Sequence, residues 1–222
     1  DQYINSNTIS MVLMYTAIYI NIFLKKLNIR FYKIMSFLIC ILTAWAIINL
    51  QSRGALITLL AFIFFEYILP KDFWKNKYNI LTTFSLIILF GTIFPIIYSK
   101  MYMNGIEFKI PFVSKSLYSG REEIWINFFN EINNNQIYLL FGLGSSADLW
   151  GEGNLNVHNN YLAIIVNFGI IGYLLYYGFI ILFISKVYNK RNSDNFFYTL
   201  FIGFMCVFIY GFFENSTLWH VM

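Results

Sequence analysis

Six long apolar runs dominate this chain and limit what it can fold into. An α-helix rises 1.5 Å per residue, so about 20 apolar residues cross the roughly 30 Å of hydrocarbon in a bilayer. The chain is 59% hydrophobic and only 12% charged, whereas a soluble domain averages about 25% charged residues. We therefore predict an all-α, polytopic membrane protein with about six transmembrane helices. The predicted spans are Thr8–Leu24, Ile34–Leu50, Ala55–Leu69, Tyr78–Tyr98, Asn160–Ser185 and Phe196–Phe213.

The distribution of basic residues predicts the orientation of these spans. Ten of the 15 Lys and Arg residues lie in the first, third and fifth connectors between spans. Because cytoplasmic loops carry an excess of Lys and Arg, we assign these connectors to the cytoplasm. The turn Gln51–Gly54, the loop Ser99–Val157 and the tail Glu214–Met222 are then expected on the outer, periplasmic side of a bacterial inner membrane. The ten basic residues are Lys25, Lys26, Arg30, Lys33, Lys71, Lys75, Lys77, Lys186, Lys190 and Arg191.

Residues 1–222 are expected to form one membrane domain, and the periplasmic loop 99–157 lies within it. The chain begins at Asp1 without a basic segment ahead of an apolar one, so we expect no signal peptide and interpret the chain as the C-terminal part of a longer protein. Cys40 and Cys206 lie inside apolar runs without metal or redox spacing, and both are interpreted as small hydrophobic residues. No metal, cofactor or nucleic-acid partner is expected.

The long loop contains one predicted helix. In Ser119-Gly120-Arg121-Glu122, the side chains of Ser119 and Glu122 can each accept a hydrogen bond from the backbone N–H of the other residue, which is a capping box. Apolar residues then recur at helical spacing, so the helix is amphipathic. Its apolar face is expected to lie at the outer membrane–water boundary, to pack on the transmembrane bundle, or both. That face comprises Ile124, Trp125, Phe128, Phe129 and Ile132, and the polar face comprises Glu123, Asn127, Asn130 and Glu131.

Three residues on the predicted outer side are candidates for chemistry. A cation in the first turn of a helix opposes the helix dipole, so Arg121 indicates that an anion binds there, and an exposed loop arginine is the alternative. His158 lies where the loop meets the membrane, and its imidazole is either structural or a general base near neutral pH. Arg53 ends a membrane hairpin, and its guanidinium either grips phosphate or extends to the interface. Glu66, in the third span, is either a partner for Arg53 or an unrelated helix-end charge.

Several short motifs follow one another in a recognisable order. Ser52-Arg53-Gly54 opens a span, Arg121-x-x-x-Trp125 begins the loop helix, and the glycine-rich turn Phe141-Gly142-x-Gly144 follows. His158-Asn159-x-Tyr161-Leu162 then leads to Asn167-Phe168-Gly169-Ile170-Ile171-Gly172 and another span. Over residues 52–178, this order resembles the O-antigen ligase and O-antigen polymerase family of bacterial integral membrane glycosyltransferases.

The resemblance implies a metal-independent transfer of glycan from an undecaprenyl-diphosphate carrier on the periplasmic side. By position, it implies that Arg53 and Arg121 hold the donor diphosphate and that His158 orients or deprotonates the acceptor hydroxyl. Asn159 would support the histidine or bind sugar. The acceptor is another carrier-linked glycan in a polymerase and lipid A–core in a ligase, and both share these motifs. Family members have more spans than the six predicted here, which correspond to the C-terminal half.

A transporter or flippase of lipid-linked sugars, or another polysaccharide-export membrane protein, is the alternative function. Transporters of this kind place polar or charged groups near the membrane midplane, whereas the predicted spans hold few such groups beyond Glu66. This scarcity favours the glycosyltransferase. The enzyme interpretation predicts that Arg53, Arg121 and His158 converge on one cavity at the outer membrane face.

Overall fold

Most of the chain that the structure describes is helical. A computed structural model describes residues 5–27, 30–106, 118, 120–144, 157–190 and 195–214. Within these ranges no β-strand occurs, which confirms the all-α prediction. A π-helical segment, Phe64–Ile68, continues the third helix. The helices are α1 (Ser6–Lys26), α2 (Tyr32–Asn49), α3 (Arg53–Ile63), α4 (Lys71–Lys75), α5 (Lys77–Met103), α6 (Arg121–Asn134), α7 (Ile137–Phe141), α8 (Asn160–Lys190) and α9 (Asn195–Tyr210).

Four of the described helices, α1, α2, α5 and α8, are long and apolar enough to cross a membrane. They coincide with four of the six predicted spans. The third predicted span is α3 with its π-helical continuation, which together end at Ile68. The sixth is α9, an apolar helix that is shorter than the other four. The count of six spans and the periplasmic position of the loop therefore remain predictions.

Helix α8 reverses its direction near its middle. Gly169 has non-helical backbone angles, with φ 65° and ψ −173°. The rings of Tyr161 and Tyr177 stack with their centroids 5.3 Å apart, whereas a continuous helix would separate two such positions by about 24 Å. The arms 160–168 and 170–190 therefore lie side by side. The predicted span Asn160–Ser185 is interrupted, and the second arm alone retains the roughly 20 residues that a crossing needs.

Two glycines allow the segment after α7 to contact this reversal. Gly169 has a positive φ, and a Cβ atom there would lie 2.2 Å from a backbone carbonyl oxygen of α7. Gly142 also has a positive φ, and its Cβ would lie 2.6 Å from the backbone of Asn167. Between them, the N–H of Leu143 donates to the carbonyl of Val166 at 2.6 Å. Only glycine tolerates both the left-handed backbone and the close approach, so packing explains Gly142 and Gly169.

The described residues form two compact units. The first unit contains α1 to α4, the beginning of α5 up to Ile80, and α9. The second contains the rest of α5, α6, α7, nearly all of α8, and the residues that follow α9 from Gly211. The prediction of one membrane domain over residues 1–222 remains a prediction.

In the second unit, α6 packs its apolar face against the first arm of α8. Trp125 and Phe128 are buried in one cluster with Leu162 and Val166 of α8. The predicted polar face, Glu123, Asn127, Asn130 and Glu131, is exposed. Packing on neighbouring helices, one of the two expectations for this amphipathic helix, is therefore confirmed. Its position at a membrane–water boundary remains a prediction.

The start of α6 differs by one residue from the predicted capping box. Gly120 is the N-cap and adopts a left-handed conformation, and the helix begins at Arg121. The side chain of Glu122 accepts a hydrogen bond from the N–H of Gly120 at 2.8 Å. The hydrogen bond from the N-cap N–H to the glutamate is thus present, as in a capping box. Because Gly120 is the N-cap, Glu122 occupies the second helical position instead of the third. Ser119 lies outside the described residues.

Candidate functional site

Arg121 and Glu214 form an ion pair in the second unit although they are far apart in sequence. Arg121 Nη2 donates to Glu214 Oε1 at 2.6 Å, and Nη1 donates to the carbonyl of Phe213 at 2.6 Å. Both charged side chains are 19% exposed. A hydrogen-bonded pair that is largely withdrawn from water is stronger than an ion pair on an open surface. Arg121 therefore fixes the position of the carboxylate that follows α9.

His158 binds the second oxygen of the same carboxylate. Its Nδ1 lies 2.9 Å from Glu214 Oε2, and the imidazole is 31% exposed. A neutral imidazole that donates through Nδ1 carries its lone pair on Nε2. The carboxylate thus selects the tautomer in which Nε2 can take a proton. His158 also has φ 50°, a left-handed conformation that is uncommon outside glycine and recurs at functional sites.

The charges around Glu214 keep its carboxylate ionised. Burial acts to raise the pKa of Glu214, but the hydrogen bond from His158 and the positive charge of Arg121 outweigh it. The pKa therefore lies below the ordinary value of 4.5. An ionised carboxylate next to an imidazole stabilises the imidazolium that forms when the ring accepts a proton. The arrangement can therefore support general-base chemistry at His158.

The two residues of the Arg121-x-x-x-Trp125 motif contact the segments that carry Glu214 and His158. Residues four apart lie on the same face of a helix, so Arg121 and Trp125 project from α6 together. The indole Nε1 of Trp125 donates to the carbonyl of Val157 at 2.8 Å, directly before His158, and the side chain is fully buried. One face of α6 therefore positions the histidine through Trp125 and the carboxylate through Arg121.

Asn159 is buried and its amide is bonded to the backbone. Pro95 in α5 has no N–H, so the carbonyl of Gly91, four residues earlier, loses its helical donor. Asn159 Nδ2 donates to that carbonyl at 3.2 Å and to the carbonyl of Phe212 at 3.1 Å. Its Oδ1 accepts from a backbone N–H in the first turn of α8 at 2.7 Å. Both roles that the resemblance implied for Asn159, support of His158 and sugar binding, remain predictions.

Arg53 and Glu66 lie in the first unit. Arg53 begins α3, directly after the buried Ser52, and its convergence with Arg121 and His158 remains a prediction. Glu66 lies in the π-helical segment, and its Oε1 pairs with Lys25 Nζ at 2.5 Å. The hydroxyl of Thr199 donates to Glu66 Oε2 at 2.9 Å. The carboxylate of Glu66, which is 11% exposed, therefore forms an ion pair with Lys25 rather than with Arg53.

Sequence reasoning missed Glu214, which joins the two residues that it had selected. Glu214 is a single acidic residue directly after the last apolar run, and it belongs to no recognisable motif. The available signal was the predicted number of spans, which puts this residue on the same predicted side as the long loop. It is one of several acidic residues predicted on that side, so the sequence could list it as a candidate partner of Arg121 and His158 but could not single it out.

The described residues contain two free cysteines and no cluster suited to a metal ion. Cys40 and Cys206 are free thiols and both are buried, in agreement with their interpretation as small hydrophobic residues. Across the described ranges, no cluster of three or more His, Cys, Asp or Glu side chains has the geometry to hold a metal ion.

Comparison with known proteins assigns the family. A family profile described as O-antigen ligase matches residues 38–177, a range that includes Arg53, Arg121, His158 and Asn159 but not Glu214. No curated protein and no solved structure matches the chain significantly. Since the profile covers more than half of the chain and the apolar helices are those of a membrane protein, this protein belongs to the O-antigen ligase family, whose enzymes carry out glycosyl transfer of the ligase or polymerase type in membranes.

Proposed function

We propose that this protein transfers a glycan from an undecaprenyl-diphosphate carrier to an acceptor hydroxyl, on the periplasmic face of a bacterial inner membrane and without a metal ion. The family supplies the general reaction class. The observation that carries the residue assignment is the carboxylate of Glu214, which binds both Arg121 and His158. A proton acceptor and a cation are thereby held next to each other, and glycosyl transfer from a diphosphate requires both.

In the proposed reaction, His158 is the general base. The acceptor hydroxyl gives its proton to Nε2 while its oxygen bonds to the anomeric carbon of the donor sugar. The bond between that carbon and the phosphate oxygen breaks, and its electron pair leaves with the diphosphate. Glu214 keeps the imidazole in the correct tautomer through Nδ1 and stabilises the positive charge that the ring gains. Asn159 holds the backbone next to the histidine in place.

Arg121 is proposed to bind the diphosphate that leaves. A guanidinium has five N–H donors in a planar fork, and Arg121 uses two of them for Glu214 and the carbonyl of Phe213. The remaining donors can bind phosphate oxygens, which gain negative charge as the bond to the sugar breaks. Arg53 is proposed as a second cation for the same diphosphate, on the basis of the resemblance alone.

Both acceptors, a carrier-linked glycan and lipid A–core, fit this chemistry. Each presents a sugar hydroxyl to the same base, so the contacts around His158 are compatible with a polymerase and with a ligase. The products differ, and they identify the acceptor. Loss of a polymerase leaves single capped repeats, whereas loss of a ligase leaves carrier-linked polymer without mature lipopolysaccharide.

The proposal is tested by expressing the protein in a strain that lacks its own gene and separating the surface glycans by size. We expect His158→Ala and Arg121→Ala each to abolish the wild-type glycan ladder while the protein level in the membrane stays normal. Glu131→Ala is the matched control, because Glu131 lies on the exposed face of the same helix as Arg121. A wild-type ladder from both His158→Ala and Arg121→Ala would show that the proposed site is wrong.

A further inference from the structure

A row of aromatic side chains runs along one face of α5 in the second unit. Phe94, Tyr98 and Tyr102 are four residues apart, so they lie on the same face in steps of about 6 Å. The rings of Phe94 and Tyr98 have centroids 5.4 Å apart. Tyr118 lies between the next two, at 5.4 Å from Tyr98 and 5.0 Å from Tyr102. All four side chains are only partly buried, so they form a continuous, partly accessible surface of rings.

The inner end of this row reaches the candidate site. The ring of Phe94 lies 5.6 Å from that of Phe213 and 6.3 Å from that of Phe212, the two residues before Glu214. The carbonyl of Phe213 accepts the hydrogen bond from Arg121. The first ring of the row therefore packs against the same short segment that Arg121 binds.

The outer end of the row is polar. The hydroxyl of Tyr102 donates to Oε1 of Glu123 at 3.2 Å, and Glu123 is exposed on α6. The hydroxyl of Tyr118 donates to the backbone carbonyl of Ile106. An exposed carboxylate beside a partly exposed ring offers two kinds of contact, an apolar face and a strong hydrogen-bond acceptor. A lipid chain uses only the first, whereas a sugar presents C–H groups to the ring and hydroxyl donors to the carboxylate.

We infer that Tyr98, Tyr118 and Tyr102, with Glu123 at their outer end, form a binding track for the donor glycan. The inference rests on the proposed function, because that function supplies a glycan at Arg121 and His158. The donor is the long glycan in both a polymerase and a ligase, so its sugars remote from the reacting bond extend away from the site. A spacing of one ring per helical turn suits successive sugars of such a chain.

A binding track of this kind is expected to affect the affinity for the donor and not the rate of the chemical step. Contacts with remote sugars retain the donor but do not change the reacting bond, so they act on affinity for long donors and not on the rate of the chemical step. Variants of the track should therefore raise the KM for a long donor, leave kcat nearly unchanged, and leave transfer of a single repeat intact. In a polymerase, they should also shift the glycan ladder towards shorter products.

The test is calorimetric titration of the purified protein with the free oligosaccharide released from its own polysaccharide, which carries neither lipid nor diphosphate. We expect Tyr102→Ala and Tyr118→Ala each to weaken binding by about tenfold. Tyr102→Phe keeps the ring and should weaken binding less, and Glu123→Gln should weaken it through loss of charge on the acceptor. The matched control is Tyr19→Ala, a tyrosine of α1 that is 65% exposed, which should bind like the wild type.

The outcomes separate the track from the proposed function. Wild-type affinity in Tyr102→Ala, Tyr118→Ala and Glu123→Gln would overturn the track, whatever the transfer assay shows. Oligosaccharide binding that depends on Tyr102, in a protein whose glycan ladder does not depend on His158, would support the track and contradict the proposed catalysis. Because Tyr102→Phe and Glu123→Gln change few atoms, they keep the test valid if an alanine variant folds poorly.

Discussion

Glu66 in the first unit and Glu214 in the second are glutamates with little exposure that each bind two partners, and the two differ in what they can do. In the first unit, Glu66 binds the ammonium of Lys25 and the hydroxyl of Thr199, and its side chain is 11% exposed. In the second unit, Glu214 binds the guanidinium of Arg121 and the imidazole of His158, and its side chain is 19% exposed. The geometry is similar, so the difference comes from the partners.

The two sets of partners differ in whether they offer a proton acceptor. Lys25 and Thr199 both donate to the carboxylate of Glu66, whereas the imidazole of His158 can donate to Glu214 through Nδ1 and carry a lone pair on Nε2. A buried ion pair is costly to break and contributes mainly to the specificity of packing. We therefore interpret the cluster around Glu66 as structural and that around Glu214 as catalytic. Four predictions follow from this division.

The largest effect is expected from loss of the Glu214 carboxylate. Glu214→Ala should lower the rate of glycan transfer by about 10²- to 10⁴-fold, because the imidazole loses the group that selects its tautomer and stabilises its charge. Glu214→Gln keeps hydrogen-bonding groups without charge and should lie between this variant and the wild type. The measurement is transfer from a purified lipid-linked donor, with Glu131→Gln as the control. Near wild-type rates in both variants would remove Glu214 from the mechanism.

The next largest effect should be on stability, in the first unit. Lys25→Met leaves the charge of Glu66 without its ammonium partner, and the free energy of unfolding should fall by about 3 kcal/mol. Transfer per folded molecule should stay unchanged. The double variant Lys25→Met/Glu66→Met removes both charges and should recover most of the stability. Denaturant titration in detergent measures these differences, and a transfer rate that falls in the stable double variant would show that this cluster is also needed for catalysis.

A smaller effect is expected on acidification. The pKa of Glu214 is lowered in the folded protein, so the stability that its ion pair contributes is present above the unfolded value of 4.5 and is lost as the pH falls through the folded value. The wild type should therefore lose more stability than Glu214→Gln between about pH 5 and pH 3. Thermal unfolding across this range measures the difference. Parallel curves for the two proteins would mean that the carboxylate has no lowered pKa.

The smallest effect is expected for Thr199→Val. This variant removes one hydroxyl, which donates to Glu66 and accepts from the ammonium of Lys25, while it keeps the side-chain shape and the ion pair between Lys25 and Glu66. The free energy of unfolding should fall by about 1 kcal/mol, and transfer should be unaffected. Denaturant titration against the Lys25→Met variant gives the ratio of the two contributions. A larger loss in Thr199→Val than in Lys25→Met would reverse the order assigned to the two contacts.

The fold could be predicted from the sequence where a local pattern decides it. Apolar runs predicted the helices of spanning length, and the spacing of Trp125 and Phe128 predicted the buried face of α6. The reversal at Gly169 could not be predicted, because a glycine within an apolar run is compatible with a straight helix. Its backbone angles are fixed by contact with the segment around Gly142, and no local pattern encodes such a contact.

The candidate site was predictable to a similar extent. Arg121 was selected as a cation in the first turn of the loop helix and His158 as a residue where the loop meets the membrane, and the structure brings both to one carboxylate. The hydrogen bonds of Asn159 could not be foreseen. The carbonyl of Gly91 can accept from Asn159 because Pro95, on the separate helix α5, has no N–H to donate to it. The sequence left open whether Glu66 pairs with Arg53, and its actual partner, Lys25, depends on the packing of α1 against the π-helical segment.

The sequence by itself determined that this protein is a helical membrane protein, which residues face away from water in α6, and which family it belongs to. These properties depend on composition, on periodicity along a helix and on the order of short motifs, all of which are local. The tertiary structure alone decided that Glu214 joins Arg121 to His158, that α8 reverses at Gly169, and that the aromatic rings of α5 lead to this site. These features depend on contacts between residues distant in sequence, and only packing brings such residues together.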